Sequence, residues 1–226
     1  MEESKIRLNK FLAERLGVSR READEMISSH RVSVDGRPAI LGDRIDKASK
    51  VCYNDKIIPF ETEYLYLAFH KPVGYVCSRR SQKTAPTIYE ILPKKYHKLK
   101  TVGRLDKDSS GLILLTNDGD FAFQMTHPKF RKTKIYEVEL DKPLEPLHQQ
   151  MISDYGVMLD DGLSRFKVIK DEKTNSYIVS LTEGRNRQIR RTFAALGYKV
   201  VKLHRTTFGK YELGDLSVGK YDIIKV

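Results

Sequence analysis

The sequence predicts an α+β protein in two parts: a helix pair with a small sheet over residues 1–60, and a larger domain over 61–226 on a mixed, largely antiparallel sheet. Three observations carry this. Helical spacing followed by short alternating runs fills the first part. A polar, proline-marked stretch from Pro59 to Glu63 then reads as a linker. Beyond it, period-two runs dominate, with one clear helix near the end.

Taken in order, Leu8, Phe11, Leu12 and Leu16 recur at helical spacing, and Gly17 stands where a left-handed C-cap belongs. Ser19 with Glu22 three residues on is a capping box, opening a helix whose apolar face is Ala23, Met26 and Ile27. Val32-Ser33-Val34 alternates into the turn Asp35-Gly36, and short strands follow at Val51 to Tyr53 and Lys56 to Ile58. In the larger part, Tyr64 to Phe69 reads as a buried strand. Ile135 to Leu140, Tyr177 to Leu181 and Lys199 to Leu203 alternate as half-buried strands. The helix runs from Arg187 to Leu196 and stops at Gly197.

A hydrophobic fraction of 40% in 226 residues fits a soluble globular chain. No apolar run approaches the roughly 20 residues that span a bilayer. Met1-Glu2-Glu3-Ser4-Lys5 has no apolar core of a secretory signal, so a cytoplasmic, membrane-free protein is expected. Two cysteines, Cys52 and Cys77, make neither a disulfide framework nor a four-ligand zinc site, and no histidine pair has metal spacing. No metal is therefore expected. The net charge of +11 points to a polyanionic partner, nucleic acid before membrane. That charge is concentrated: Arg185 to Lys210 holds eight Lys or Arg and no acid, and Lys129 to Lys134 adds four basic residues. Lining one cleft, these would steer RNA; scattered, they would be a solvated surface.

The segment with most chemical content is Val102 to Gly119, a polar, glycine-bracketed loop running into an apolar strand and a turn. Loops held by a rigid strand are where reacting side chains sit. On its residues alone, Asp106 reads equally as a salt-bridged or capping carboxylate. Ser109 and Ser110 lack a nucleophile-elbow context. Asn117-Asp118-Gly119-Asp120 lacks the remaining ligands of a calcium loop, and Asp106 with Asp108 lacks the further acids of a magnesium site.

Gly103-Arg104-Leu105-Asp106 followed by Ser109-Ser110-Gly111-Leu112 resembles the catalytic motif of the RsuA-type ribosomal RNA pseudouridine synthases. Three further segments match that family in order: His70-Lys71-Pro72-Val73-Gly74-Tyr75, Lys134-Ile135-Tyr136, and Glu183 to Arg191. In front, Arg7 to Ala13, Val18 to Ala23 and Val32 to Gly36 are similar to the alpha-L RNA-binding module, the family's usual companion.

The resemblance implies a pseudouridine synthase fold and a cofactor-free isomerisation in which a flipped uridine is re-joined to its ribose through C5. It implies Asp106 as the reacting carboxylate, Tyr136 against the base, and Arg190 paired with Asp106; Arg187 and Arg191, on the same helix, are exchangeable with Arg190 in that role. Without the resemblance Tyr136 would read as a core strand tyrosine. Arg104, Arg187, Arg191, Lys199 and Lys202 are then expected at RNA, as are Arg7, Lys10, Arg20 and Arg21 of the front module, which otherwise read as solvated helix charges. The expected partner is ribosomal RNA or a ribosomal assembly intermediate, met by a monomer. Compact length and the lack of a long basic tail favour the small-subunit (16S) RNA over the large-subunit (23S) RNA. A non-catalytic ribosome-assembly factor is the reading from another class.

Overall fold

The computed structural model describes residues 5–61, 63–79 and 85–226; Met1 to Ser4 and Thr62 of the proline-marked stretch lie outside the described residues. The chain forms two compact units. One is Met1–Leu65 with Asn117–Gly119, the other Tyr66–Thr116 with Asp120–Val226.

In the first unit, α1 (Leu8–Arg15) and α2 (Arg20–Ser28) form the helix pair. Gly17 takes φ +70° between them, the left-handed geometry for which glycine has no steric cost. Ser19 Oγ accepts from Glu22 N at 3.1 Å, and the Glu22 carboxylate accepts from Ser19 N at 2.7 Å, so the capping box forms as the spacing requires. The sheet contains β1 (Val32–Val34), β2 (Arg37–Pro38), β3 (Val51–Tyr53) and β4 (Lys56–Ile57), antiparallel in the order β2-β1-β3-β4. Asp35 and Gly36 both have positive φ, the twist a two-residue hairpin needs. Leu8, Phe11 and Leu12 bury against Ala23, Ile27, Val32 and Val51.

Among the described residues of the second unit, one mixed sheet has nine strands: β5 (Tyr66–Lys71), β6 (Lys100–Val102), β7 (Ser110–Thr116), β8 (Lys134–Leu140), β9 (Lys167–Lys170), β10 (Ser176–Leu181), β11 (Val200–Phe208), β12 (Tyr211–Glu212) and β13 (Tyr221–Ile223). Their order is β9-β10-β8-β11-β7-β5-β13, with β6 beside β7 and β12 beside β11. Every pairing is antiparallel except β7 with β11. Gly111 to Thr116 is buried at consecutive positions, which marks β7 as covered on both faces. The helix expected from Arg187 is α4 (Gln188–Ala195), and Gly197 follows at φ +81°.

Three expectations need correction. The strand expected from Tyr64 to Phe69 runs from Tyr66 to Lys71, and Tyr64 before it is exposed. The run from Lys199 to Leu203 continues to Phe208, because the strand stays paired with β8 through a register shift between Ile135 and Tyr136. More than one helix is present: α3 (Gly119–Thr126) starts within the stretch read as a turn, and Pro146–Gln150 forms another. The inward face of α3 is only Phe121 and Met125, too sparse a stripe to read as helical period.

Gly111 has φ +105°, and a Cβ there would stand 2.2 Å from Arg205 O and 2.6 Å from Arg205 N. The parallel join of β7 to β11 therefore requires a residue without a side chain. We expect Gly111→Ala to cost about 3 kcal/mol or more, strain and overlap combined. At Gly197 nothing lies within 4 Å of the added carbon, so Gly197→Ala should cost only about 1 kcal/mol of left-handed strain. Urea unfolding of both variants reads the difference; similar costs would show that the join tolerates a side chain.

Candidate active site

The loop from Gly103 to Ser109 leaves β6 and enters β7. Leu105 and Ser109 turn inward, and Ser109 N donates to Asp106 O at 3.1 Å, folding the segment tightly around the aspartate. Two tethers hold it from beneath. Lys71, fully buried at the end of β5, donates through Nζ to Ser109 O at 2.6 Å and Pro72 O at 2.9 Å. Gly74 N donates to Lys107 O at 2.7 Å. Burial pushes the Lys71 ammonium down to about 8, with Cys77, Asp106 and Asp108 pulling the other way.

Asp106 borders a cavity of about 570 Å³, within the roughly 300–1,000 Å³ range of small-molecule sites. Tyr136 and Lys134 of β8, Arg205 of β11 and the loop Glu183 to Gln188 also form its walls. Lys134 Nζ reaches the carbonyls of Thr182 and Glu183 at 3.4 and 3.3 Å, tying that loop to the sheet. Its ammonium is pushed down to about 8 by burial and by Arg205, against Glu183. Arg205 is 2% exposed. Its Nε donates to Leu112 O at 2.7 Å, and its guanidinium carbon lies 4.7 Å from the Phe208 ring centre and 6.0 Å from that of Tyr136.

The arginines before and on α4 divide differently from the sequence expectation. Arg190 engages Asp108 rather than Asp106. Its Nε lies 3.3 Å from Asp108 Oδ2, Nη2 donates to Asp108 O at 2.8 Å, and Nη1 donates to Val200 O at 2.7 Å. Arg187 is an ionic neighbour of Asp106, with Nη1 at 3.8 Å from Oδ2. Arg187 also makes a two-pronged pair with Asp108, both contacts at 3.0 Å. Asp108 thus draws both cations to itself, while Asp106 borders the cavity and Arg190 does not. Burial raises the Asp108 carboxyl, but Arg187 and Arg190 outweigh it and hold it below the usual carboxylate value. Arg187 is raised, chiefly by its hydrogen bond to Asp108, whereas burial lowers Arg190.

The other cations are dispersed. Arg104 is exposed and borders the cavity. Arg191 is held by Asp160 at 2.5 Å and Asp161 at 2.7 Å, away from the cavity lining. Lys202 pairs with Glu137 at 3.2 Å, and neither it nor Lys199 borders the cavity. In the first unit, Arg7 precedes α1, Lys10 lies on it, and Arg20 and Arg21 open α2, where Arg20 Nη2 donates to Asn9 Oδ1 at 3.2 Å. Among the described residues, no three His, Cys, Asp or Glu side chains gather as a metal site, and no helix is long and apolar enough to cross a membrane.

Sequence reading missed Lys71, Arg205 and the part played by Asp108. A signal existed for Arg205: once Leu203 is placed inward on an alternating strand, Arg205 falls on the same buried face. For Lys71 and Asp108 no local pattern marks the partner, since each bond joins segments far apart in sequence.

Residues 65–195 match the model of the RNA pseudouridylate synthase family, and residues 6–51 match the S4 domain. The chain belongs to the RNA pseudouridylate synthase family. It is an isomerase carrying an S4 domain, as the motifs from His70 to Arg191 and the front module led one to expect. The chain is 38% identical to the ribosomal small subunit pseudouridine synthase A of Pasteurella multocida, over 96% of this chain and 94% of that protein. It is 36% identical to the ribosomal large subunit pseudouridine synthase B of Yersinia pestis, over 92% of this chain and 68% of that protein. A crystal structure of a pseudouridylate synthase superposes with a TM-score of 0.70 at 33% identity, covering 97% of this chain and 96% of that one.

In this synthase Asp108, Arg187 and Arg190 form one ionic cluster, so Asp108→Asn and Arg190→Ala should be non-additive, with a coupling of about 1 kcal/mol in a double-mutant cycle of unfolding. The sign with pH follows from the lowered Asp108 carboxyl. Its contribution is full above about 4 and disappears as pH falls through the lower folded-state value. The stability gap between wild type and Asp108→Asn should accordingly be constant at neutral pH and close in acid. A gap unaffected down to pH 2 would place the effect elsewhere.

Proposed function

We propose that this enzyme converts a uridine of ribosomal RNA to pseudouridine, with the Asp106 carboxylate as the reacting group and no cofactor. The carrying observation is the placement of Asp106 on the wall of the cavity that Tyr136 also borders, on a loop tethered at Ser109 and Lys107. A uridine reaches such a cavity by leaving its stack, which is least costly in unpaired RNA.

In this reading the bond from uracil N1 to ribose C1′ breaks with the help of Asp106, which acts either as a nucleophile at C1′ or as a base producing a glycal. The freed uracil turns and bonds to C1′ through C5 as the Asp106–C1′ bond breaks or, on the glycal route, as Asp106 returns the proton it took from C2′. The C5 proton then leaves and N1 takes up a proton, so the product is an isomer of the substrate. Tyr136 packs against the base and lies close to the departing C5 proton. Arg187, 3.8 Å from the Asp106 carboxylate, helps to direct it by charge, the role first assigned to Arg190. Arg190 acts through Asp108 and the Val200 carbonyl to hold the loop. Arg104 meets the RNA at the cavity edge.

The small-subunit RNA is the proposed target. Its support is the alignment of the Pasteurella small-subunit enzyme along 94% of its length at 38% identity. The Yersinia large-subunit enzyme, at 36%, makes the other subunit the second reading. Pseudouridine mapping across both rRNAs of a strain lacking the gene separates them: one site missing from 16S RNA is the expected result.

Asp106→Asn keeps the side chain's size and should leave folding intact while turnover on rRNA falls below detection, because an amide is neither nucleophile nor base here. RNA binding should persist. Measured with purified protein on rRNA from the deletion strain, an active Asp106→Asn enzyme would refute the assignment.

A further inference from the structure

The outward side of α3 and the 3-10 turn after it, Pro128–Phe130, has an aromatic cluster that the chemistry above does not use. Phe121 and Met125 supply the buried face of α3, which leaves Phe123 on the opposite side, 46% exposed, near Phe130 at 37%. The His127 ring completes a triangle with them, its centre 4.7 Å from Phe123 and 6.4 Å from Phe130, and the two phenyl rings are 5.8 Å apart at 88°. Lys129 N donates to His127 Nδ1 at 3.3 Å, which fixes the imidazole in the cluster. The Lys129 ammonium rests over both phenyl rings, 5.3 Å from one and 4.7 Å from the other.

Two features connect this patch to a nucleic acid. From Phe121 to Tyr136 the chain has four Lys or Arg and no acidic residue, so the aromatic surface is set in positive charge. The same segment is continuous with the cavity: Thr126 and Pro128 border it, and further along so do Lys134 and Tyr136. A satellite cluster serving only to close the turn would need no rings left so open to water. Unpaired bases stack on such rings without regard to sequence, and cations beside them take the phosphate.

We propose that Phe123, His127 and Phe130 form a stacking platform for a nucleotide next to the flipped uridine, with Lys129 giving up the ring faces to the base and moving to its phosphate. Arg131, held at φ +46° at the end of the turn, presents a second cation where the chain bends back towards β8. The proposal rests on the reading that RNA enters this cavity, and it adds where the strand beside the target lies.

The test compares wild type with Phe123→Leu, Phe130→Leu and the double variant, all full length. Three probes are used: naked rRNA and ribosomal subunits from the deletion strain for turnover, and a short single-stranded RNA with 2-aminopurine on either side of a central uridine for stacking. The expected result is KM raised about tenfold or more in the double variant with kcat within about twofold, and loss of the 2-aminopurine quenching seen with wild type. Phe123→Trp should restore both. Unfolding midpoints near wild type would confirm that the exposed rings can be removed without harm to the fold. Unchanged KM and unchanged quenching in the double variant overturn the platform, as does a fall in kcat at constant KM. Variants normal on naked RNA but impaired on ribosomal subunits would assign the patch to a protein partner and also overturn it. Wild type inactive on rRNA yet quenching in a Phe123-dependent way would refute the target reading and leave the platform standing.

Discussion

Gly111 of β7 lies so near the backbone of Arg205 in β11 that no side chain fits between them. This is where the sheet's single parallel pairing among the described strands is made, His204 and Arg205 standing beside Ser110 and Gly111. The aspartate loop enters β7 directly before this join, and the tyrosine strand β8 flanks β11 on its other side. Arg205 bonds to the Leu112 carbonyl of one neighbour and lies beneath the Tyr136 ring of the other. The positions of Asp106 and Tyr136 are thereby linked through one backbone contact and one buried cation. Interiors pack closely enough that a displacement at this point would be transmitted to both.

Electrostatic order in the site comes from acids that restrain an excess of cations. Asp108 fastens Arg187 and Arg190, and Asp160 with Asp161 fastens Arg191. Arginine suits these places because its fork matches a carboxylate with two parallel bonds and keeps its charge when desolvated. Lys71 and Lys134 serve a different purpose. Both are tied to main-chain carbonyls, and both have ammonium groups pushed down by burial. They fix the loops that contain Asp106 and Glu183, and so act on the shape of the cavity.

Much of this was legible in the sequence, for reasons specific to each element. The Ser19–Glu22 capping box, the Asp35-Gly36 turn and the Gly197 helix stop are local bargains between neighbouring residues, so a short window contains all the information. The strands at Ile135 and Tyr177 show period two because one face is buried and the other is not. α3 escaped detection for the converse reason. Its inward stripe is two residues, and Phe123 on the outward side breaks the pattern that burial would otherwise impose.

The sequence by itself determined the kinds of elements, the family, and the loop on which the reacting carboxylate is proposed to sit. Those depend on spacing along the chain, which folding does not alter. Tertiary structure decided the pairings: Arg190 with Asp108, Arg187 beside Asp106, Lys71 under Ser109, Arg205 under Tyr136. Arg187 and Arg190 are equally basic, three residues apart and both near the same loop. Which of them meets which aspartate is set by where α4 begins after the left-handed turn at Arg187 and by the Val200 carbonyl that takes one prong of Arg190. Charge and spacing alone leave that choice degenerate; three-dimensional packing removes the degeneracy because a guanidinium must satisfy its several donors at fixed angles.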